Sequence, residues 1–183
     1  MAARPPRAAR RPTPLDEAAL ERMALRYVER FATSRAKLLD YLARKLRERG
    51  WAGAAPADPG AIANRFVALG YIDDAAYGAA RARSLSRRGL GARRVAQALN
   101  AAGIDRALSA DITTELAEEA QAFATALAFA KRRRFGPFGA EMVQGLAWQK
   151  QFAAMLRAGH GPDVAAKILK MKPEEVSNEI DMQ

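Results

Sequence analysis

Arginine is concentrated in the middle of the chain, in a segment that contains no acidic residue. Between residues 75 and 104 there are six arginines and no aspartate or glutamate. A guanidinium group keeps its charge and makes paired hydrogen bonds to carboxylates and phosphates. Because counter-charges are missing, we interpret this segment as a binding patch rather than a solvated helix face. The six residues are Arg81, Arg83, Arg87, Arg88, Arg93 and Arg94.

A second basic cluster comprises Lys131, Arg132, Arg133 and Arg134. It is predicted to end a helix, where each cation stabilises the helix dipole by about 0.3–1 kcal/mol. A structural role and a binding role therefore both remain open. A third group of cations, in residues 35–49, is diluted by Asp40 and Glu48 and surrounds its helix, which fits ordinary surface charge equally well. Within the first cluster, Arg81 and Arg88 are seven residues apart, so they would share a face if both lay on one helix.

The residue types needed for catalysis or metal binding are scarce. There is no cysteine, and His160 is the single histidine, placed between two glycines as in a turn. Asp73 and Asp74 form a carboxylate pair, which helix capping explains without a metal. The stretch "RRGLGARR" has neither the spacing nor the Lys-Ser/Thr pair of a phosphate-binding loop. We therefore expect no enzyme activity, no cofactor and no metal site.

The overall charge predicts a polyanionic partner. The formal net charge is +10, a size and sign typical of proteins that bind nucleic acid or nucleoprotein. No apolar run approaches the roughly 20 residues of a membrane-spanning helix, and no apolar stretch follows the first arginines as in a secretory signal. We expect a cytoplasmic protein without a membrane partner. A monomer is the simplest expectation, because no heptad seam is present.

Composition and periodicity predict an all-α fold. Half of the residues are apolar but only 7% are aromatic, and alanine, the strongest helix former, supplies much of the total. Residues 1–14 contain four prolines and four arginines and are expected to form a disordered basic arm. Caps and apolar spacing predict helices over residues 16–31, 34–50, 58–70, 75–87, 92–102, 109–134, 141–158 and 163–171.

Three stretches of the chain share one design of helix, tight break and helix ending in glycine. Such small helical units bury their apolar faces by stacking on their neighbours. We place the first repeat at 15–57, the second at 58–108 and the third at 109–172, followed by a short acidic tail at 173–183. Ile62, Phe66 and Leu69 are predicted to form one buried helix face. Phe66, Tyr71, Ile72 and Tyr77 are predicted to form the core of the second repeat rather than a platform for stacking bases.

The stretch "LGYIDDAAYGAARARSLSRRGLGARRVAQALNAAGI", residues 69–104, resembles the most typical segment of the RecX family. In that family a G-Y-[LI]-[DN]-D turn precedes an aromatic-bearing helix, an R-G-x-G turn and a helix ending in G-[IV]. Residues 131–139 and 155–169 are similar to a third RecX repeat, and the likeness spans about residues 30–171. The matching positions are Gly70, Tyr71, Ile72, Asp73, Asp74, Tyr77, Arg88, Gly89, Gly91, Arg94, Leu99, Gly103 and Ile104.

The resemblance implies tandem three-helix repeats in an elongated, curved array. It also implies a regulatory protein that binds RecA–single-stranded-DNA filaments and mostly inhibits RecA ATPase, filament growth and strand exchange. RecA is then the expected partner, with DNA contacted mainly as the single strand inside the filament. The alternative is a sequence-independent DNA-binding protein that uses basic hairpins similar to helix-turn-helix motifs. The ten cations of the first two clusters are the candidate contact residues in either case.

Overall fold

The computed structural model describes residues 13–141 and 143–176. Within these residues every regular element is helical, and an isolated bridge between Leu15 and Trp51 is the single pairing of strand type. The chain divides into two compact units, Met1–Asp73 and Asp74–Gln183. The all-α prediction is confirmed. No helix in the described part of the chain combines the length and apolar character needed to cross a membrane.

Three helices form the first unit: α1 (Glu17–Arg30), α2 (Arg35–Arg49) and α3 (Pro59–Ala68). Each begins where a side-chain oxygen accepts a hydrogen bond from a free backbone N–H of the first turn. Asp16 accepts from Ala19 N at 2.7 Å, and Asp58 accepts from Ala61 N at 2.8 Å. Ser34 Oγ accepts from Lys37 N at 3.2 Å, so the cap predicted for α2 is present.

The core of the first unit joins all three of these helices. Leu20 of α1, Leu38 and Leu42 of α2, and Ile62 and Phe66 of α3 are buried together. The helix at 59–68 therefore packs with the two helices before it, and not with the second repeat, to which the prediction assigns it. The linker at 51–58 suggests a boundary between repeats because it separates α2 from α3 along the chain, but the two helices are not separated in space.

Two details of burial at the end of the first unit also differ from prediction. Leu69, predicted to be buried, lies beyond the end of α3 and is 60% exposed. Tyr71, predicted to be a core residue, is 55% exposed and contacts Phe66 edge-on with ring centroids 5.4 Å apart. Phe66 and Ile72 are core residues, but of the first unit rather than the second repeat.

The second unit begins with three helices: α4 (Asp74–Arg87), α5 (Ala92–Asn100) and α6 (Arg106–Ala117). Ala82, Val95, Leu99 and Ile104 form their buried core, with Tyr77 packed at its edge. The single helix predicted from Ser109 to residue 134 is not observed. Instead, Asp105 caps α6 by accepting from Ala107 N at 2.8 Å. The α6 helix ends at Ala117 because Glu118 is extended, with ψ 143°.

The rest of the second unit contains α7 (Glu119–Arg133), α8 (Gly145–Arg157) and α9 (Pro162–Lys170), with a short 3-10 turn at Gly136–Phe138. Phe123, Ala126, Met155, Ile168 and Leu169 lie in their common core. These helices fall into three groups of three, α1–α3, α4–α6 and α7–α9, and a last helical turn at 173–176 follows them. The predicted basic arm lies outside the described residues over 1–12, as does the acidic tail over 177–183.

Candidate nucleoprotein-binding site

The two short turns that follow α4 and α8 meet face to face in the second unit. Gly91 N donates a hydrogen bond to Ala158 O at 3.0 Å. A Cβ atom added at Gly91 would lie 2.5 Å from Gly159 O, and one added at Gly159 would lie 2.5 Å from Arg94 N. Real Cβ atoms do not approach other atoms this closely, so both positions require glycine for space. The α4–α5 turn is therefore fixed against the α8–α9 turn by backbone contact.

The end of α7 completes this contact. A Cβ added at Gly89 would lie 2.7 Å from Phe129 N, which shows that the α4–α5 turn also lies directly against α7. Arg132 Nη1 donates to Arg88 O at 3.1 Å. We call the place where the 88–94 segment, the end of α7 and the 158–160 turn meet the repeat junction. It joins the second and third groups of helices.

His160 lies inside the repeat junction. Its side chain is buried, and Nε2 lies 3.0 Å from Gly89 O while the ring centroid is 5.5 Å from that of Phe129. Burial lowers the pKa of His160, and the hydrogen bond to the Gly89 carbonyl opposes this shift only in part. His160 is therefore a structural residue that joins two turns, which agrees with its interpretation from sequence.

Seven of the ten candidate cations lie on the backbone segments that form the repeat junction, and all seven side chains are exposed. Within the described residues none of the seven forms an ion pair with a carboxylate. The structure therefore brings together two clusters that are about 40 residues apart in the sequence. We call these seven residues the junction cluster: Arg88, Arg93, Arg94, Lys131, Arg132, Arg133 and Arg134.

The remaining three candidates lie on α4, and the condition under which Arg81 and Arg88 would share a helix face is not met. Arg88 lies in the turn after the last residue of α4, so it does not share a helix face with Arg81. Arg81 is half-buried, and its Nε atom is buried without a hydrogen-bond partner in the described residues. Arg83 and Arg87 are exposed, and both line an open groove beside α7.

The third basic group, on α2, has partners within the first unit. Arg44 and Lys45 both pair with Glu48, at 3.7 Å and 2.5 Å, and Arg49 Nε donates to Thr13 O at 2.9 Å. Arg35 Nε donates to Asn64 Oδ1 at 2.9 Å. These contacts give several cations of α2 a structural role and leave the junction cluster as the stronger candidate.

Sequence reasoning missed two features of this region. It did not predict that the two basic clusters lie together, and it did not single out the two carboxylates, Glu115 and Glu118, that line the groove beside α4. The paired glycines of the α4–α5 and α8–α9 turns were a signal for close backbone packing. Nothing in the sequence states that these two turns contact each other, because the contact joins positions about 70 residues apart.

This chain is similar to known proteins that share one family name. The family model described as "RecX, second three-helix domain" matches residues 73–111. A protein named regulatory protein RecX from Agrobacterium fabrum is 30% identical over 146 residues, covering 78% of this chain and 77% of that protein. Another of the same name, from Myxococcus xanthus, is 28% identical over 173 residues, covering 91% of this chain and 92% of that protein.

A solved structure shows the same fold. The crystal structure of RecX from Lactobacillus salivarius superimposes with a TM-score of 0.64 at 18% sequence identity. The match covers 84% of this chain and 94% of that one. The matched family domain begins at Asp73 and therefore excludes α3, in agreement with the division of the chain between Asp73 and Asp74.

Proposed function

Because the chain belongs to the RecX family of regulatory proteins, we propose that it binds RecA–single-stranded-DNA filaments and inhibits RecA. On this proposal it acts without catalysis of its own, in the cytoplasm, by limiting filament growth, ATP hydrolysis and strand exchange. The observation that carries the proposal is the junction cluster, in which seven exposed cations lack carboxylate partners in the described part of the chain.

The chemistry of the junction cluster suits a nucleoprotein. Six of its seven members are arginines, whose planar guanidinium groups bind phosphates and carboxylates through two hydrogen bonds at once. Both groups occur along a filament of protein and DNA. A filament also offers the same contacts at every subunit, so moderate contacts made simultaneously produce tight binding through avidity.

The rigidity of the repeat junction supports the same proposal. Arg88 lies on a turn, and Arg93 and Arg94 lie in the first turn of α5 directly after it; the segment is fixed by the Gly91–Ala158 hydrogen bond and by the close contact of two glycines. A preformed arrangement loses less conformational entropy on binding than a flexible one. The junction cluster therefore combines high charge with a backbone that is already ordered.

A double variant, Arg88→Glu with Arg94→Glu, tests the proposal. We expect at least tenfold weaker binding to RecA–single-stranded-DNA filaments, or about 1.4 kcal/mol, measured by fluorescence anisotropy of labelled DNA. Helicity by circular dichroism should not change, because both side chains are exposed. The control, Arg22→Glu with Arg26→Glu, makes the same change in charge on exposed positions of α1. Equal filament binding by the two variants would remove the junction cluster from the proposal.

The second candidate function is sequence-independent binding to naked DNA. The observation in its favour is the α4–turn–α5 hairpin, which places exposed arginines on both sides of a tight turn, as phosphate-binding hairpins do. Phosphate binding alone should weaken steeply as salt rises and should not depend on RecA. Equal affinities and equal salt slopes for naked and RecA-coated single strands would favour this alternative.

A further inference from the structure

An open groove of about 680 Å³ lies between α4, the end of α6 and α7. One wall carries Arg83 and Arg87, which are one turn apart on α4 and therefore adjacent. The other side carries Glu115 near the end of α6 and Glu118 just before α7. We call this feature the mixed-charge groove. Its volume is within the usual range for sites that bind a ligand or a few side chains.

The charged side chains of the mixed-charge groove are not joined in ion pairs within the described residues. All four side chains belong to exposed residues, and within the described residues none of the four forms an ion pair. Two cations and two carboxylates therefore line one groove without pairing. Leu116, Ala124 and Ala128 add apolar surface to the groove, whereas Ser86, Gln121 and Thr125 add uncharged polar groups. The small alanine side chains allow the backbone of a bound segment to come close to α7.

This pattern selects among possible occupants by charge. A nucleic-acid backbone in the groove would gain from Arg83 and Arg87 but would be repelled by Glu115 and Glu118. A segment of protein that carries an acidic and a basic residue on either side of an apolar one can satisfy both walls at once. Complementary charges of this kind define which partner binds and in which register.

From these contacts we infer that the mixed-charge groove binds a protein segment with both charges, and not DNA. The inference rests on the proposed function, and under that function the segment belongs to a RecA subunit of the filament. Nine of the ten candidate cations, all except the half-buried Arg81, then divide by partner. Arg83 and Arg87 bind carboxylates of the protein, whereas the junction cluster, which has no carboxylate partner in the described residues, binds phosphates.

The sign of a charge change tests this inference. Glu115→Lys with Glu118→Lys makes the protein more basic, so a groove that binds phosphate would bind both naked and RecA-coated single strands more tightly. The inference predicts the opposite for the filament: affinity at least fivefold lower, with naked single-stranded DNA bound as tightly as before or more tightly. The matched control, Asp111→Lys with Glu119→Lys, makes the same change in charge at exposed positions of α6 and α7 that do not line the groove.

A second variant tests the opposite wall. Arg83→Glu with Arg87→Glu should lower filament affinity at least fivefold and change affinity for naked single-stranded DNA less than twofold. An equal loss of affinity for naked DNA would show that these arginines bind phosphate. Unchanged filament affinity of the Glu115/Glu118 variant would show that the carboxylates contact no partner. Either result overturns the inference.

Two further outcomes are decisive. If deletion of residues 177–183 removes the effect of the lysine substitutions, the occupant is the chain's own C-terminal segment, and the inference fails while the proposed function stands. If the unaltered protein does not bind the filament at all, the proposed function fails and the inference fails with it.

Discussion

At the scale of single residues, the repeat junction explains why a tight glycine turn follows the arginine-rich helix. Gly91 has an ordinary backbone conformation, with φ −73°, so it is not required for a special dihedral angle. It is required for space, because Gly159 and His160 backbone atoms occupy the volume that a side chain would need. The sequence revealed the turn but not this contact.

Replacing Gly91 with alanine should therefore destabilise the second unit. The added methyl group forces the α8–α9 turn to move, which should lower the free energy of unfolding by about 1–3 kcal/mol, as overpacking typically does. Gly161→Ala is the matched control. Gly161 also precedes a helix, with φ −66°, and has no atom within 4 Å of its Cβ position. Urea unfolding that shows equal losses for both variants would contradict the contact at the junction.

The buried His160 should make stability depend on pH. Its pKa is lowered in the folded protein, chiefly by burial, so the unfolded chain binds a proton more readily. As pH falls below about 6.5 the unfolded state gains protons first, and the free energy of unfolding decreases until the lowered pKa of the folded state is reached.

The comparison of wild type with His160→Gln isolates this effect from the carboxylates. The stability difference between the two proteins, measured by urea unfolding at pH 7.5 and pH 5.5, should shift at the lower pH in favour of the variant, which has no proton to gain. A difference that stays constant across this range would mean that His160 does not titrate as its buried position requires.

At the scale of helices, most helix N-termini were predicted correctly from the sequence. They were recognisable because a capping residue is followed directly by the first apolar turn. Ser34, and Asp58 with Pro59, are examples, and Gly50 ends α2 with φ 78° as expected. The prediction was wrong at α6, where Asp105 and Ser109 both have capping side chains and local spacing did not distinguish them. The break at Glu118 was also missed, because neither glycine nor proline marks it.

Substitutions at the two candidate caps of α6 distinguish the two assignments. Asp105 Oδ1 accepts hydrogen bonds from Ala107 N and Leu108 N, so Asp105→Ala should cost about 0.5–2 kcal/mol of stability. Ser109 is buried within the helix, and its Oγ has no partner in the described residues. Ser109→Ala should therefore be neutral or slightly stabilising. If thermal unfolding shows that Ser109→Ala lowers stability more than Asp105→Ala does, Ser109 is the cap, as the sequence predicted.

At the scale of the whole chain, the all-α class and the threefold repetition followed from helix propensity, caps and the spacing of leucines. The boundaries between repeats did not, because they depend on which helices share a core. The α3 helix belongs with Leu20 and Leu42 in the first core, and α6 belongs with Val95 and Leu99 in the next. The ten candidate cations remain a prediction from the sequence, and the structure adds that seven of them lie on the segments of the repeat junction, through long-range contacts between turns.

The measurement that tests the central claim most directly is the single-stranded-DNA-dependent ATPase rate of RecA as this protein is titrated from well below to above the RecA concentration. A regulator that binds the filament should suppress ATP hydrolysis at substoichiometric amounts, and the Arg88→Glu, Arg94→Glu variant should need at least tenfold more protein. A rate that stays unchanged until the added protein saturates the DNA would contradict filament binding and indicate competition for phosphates instead.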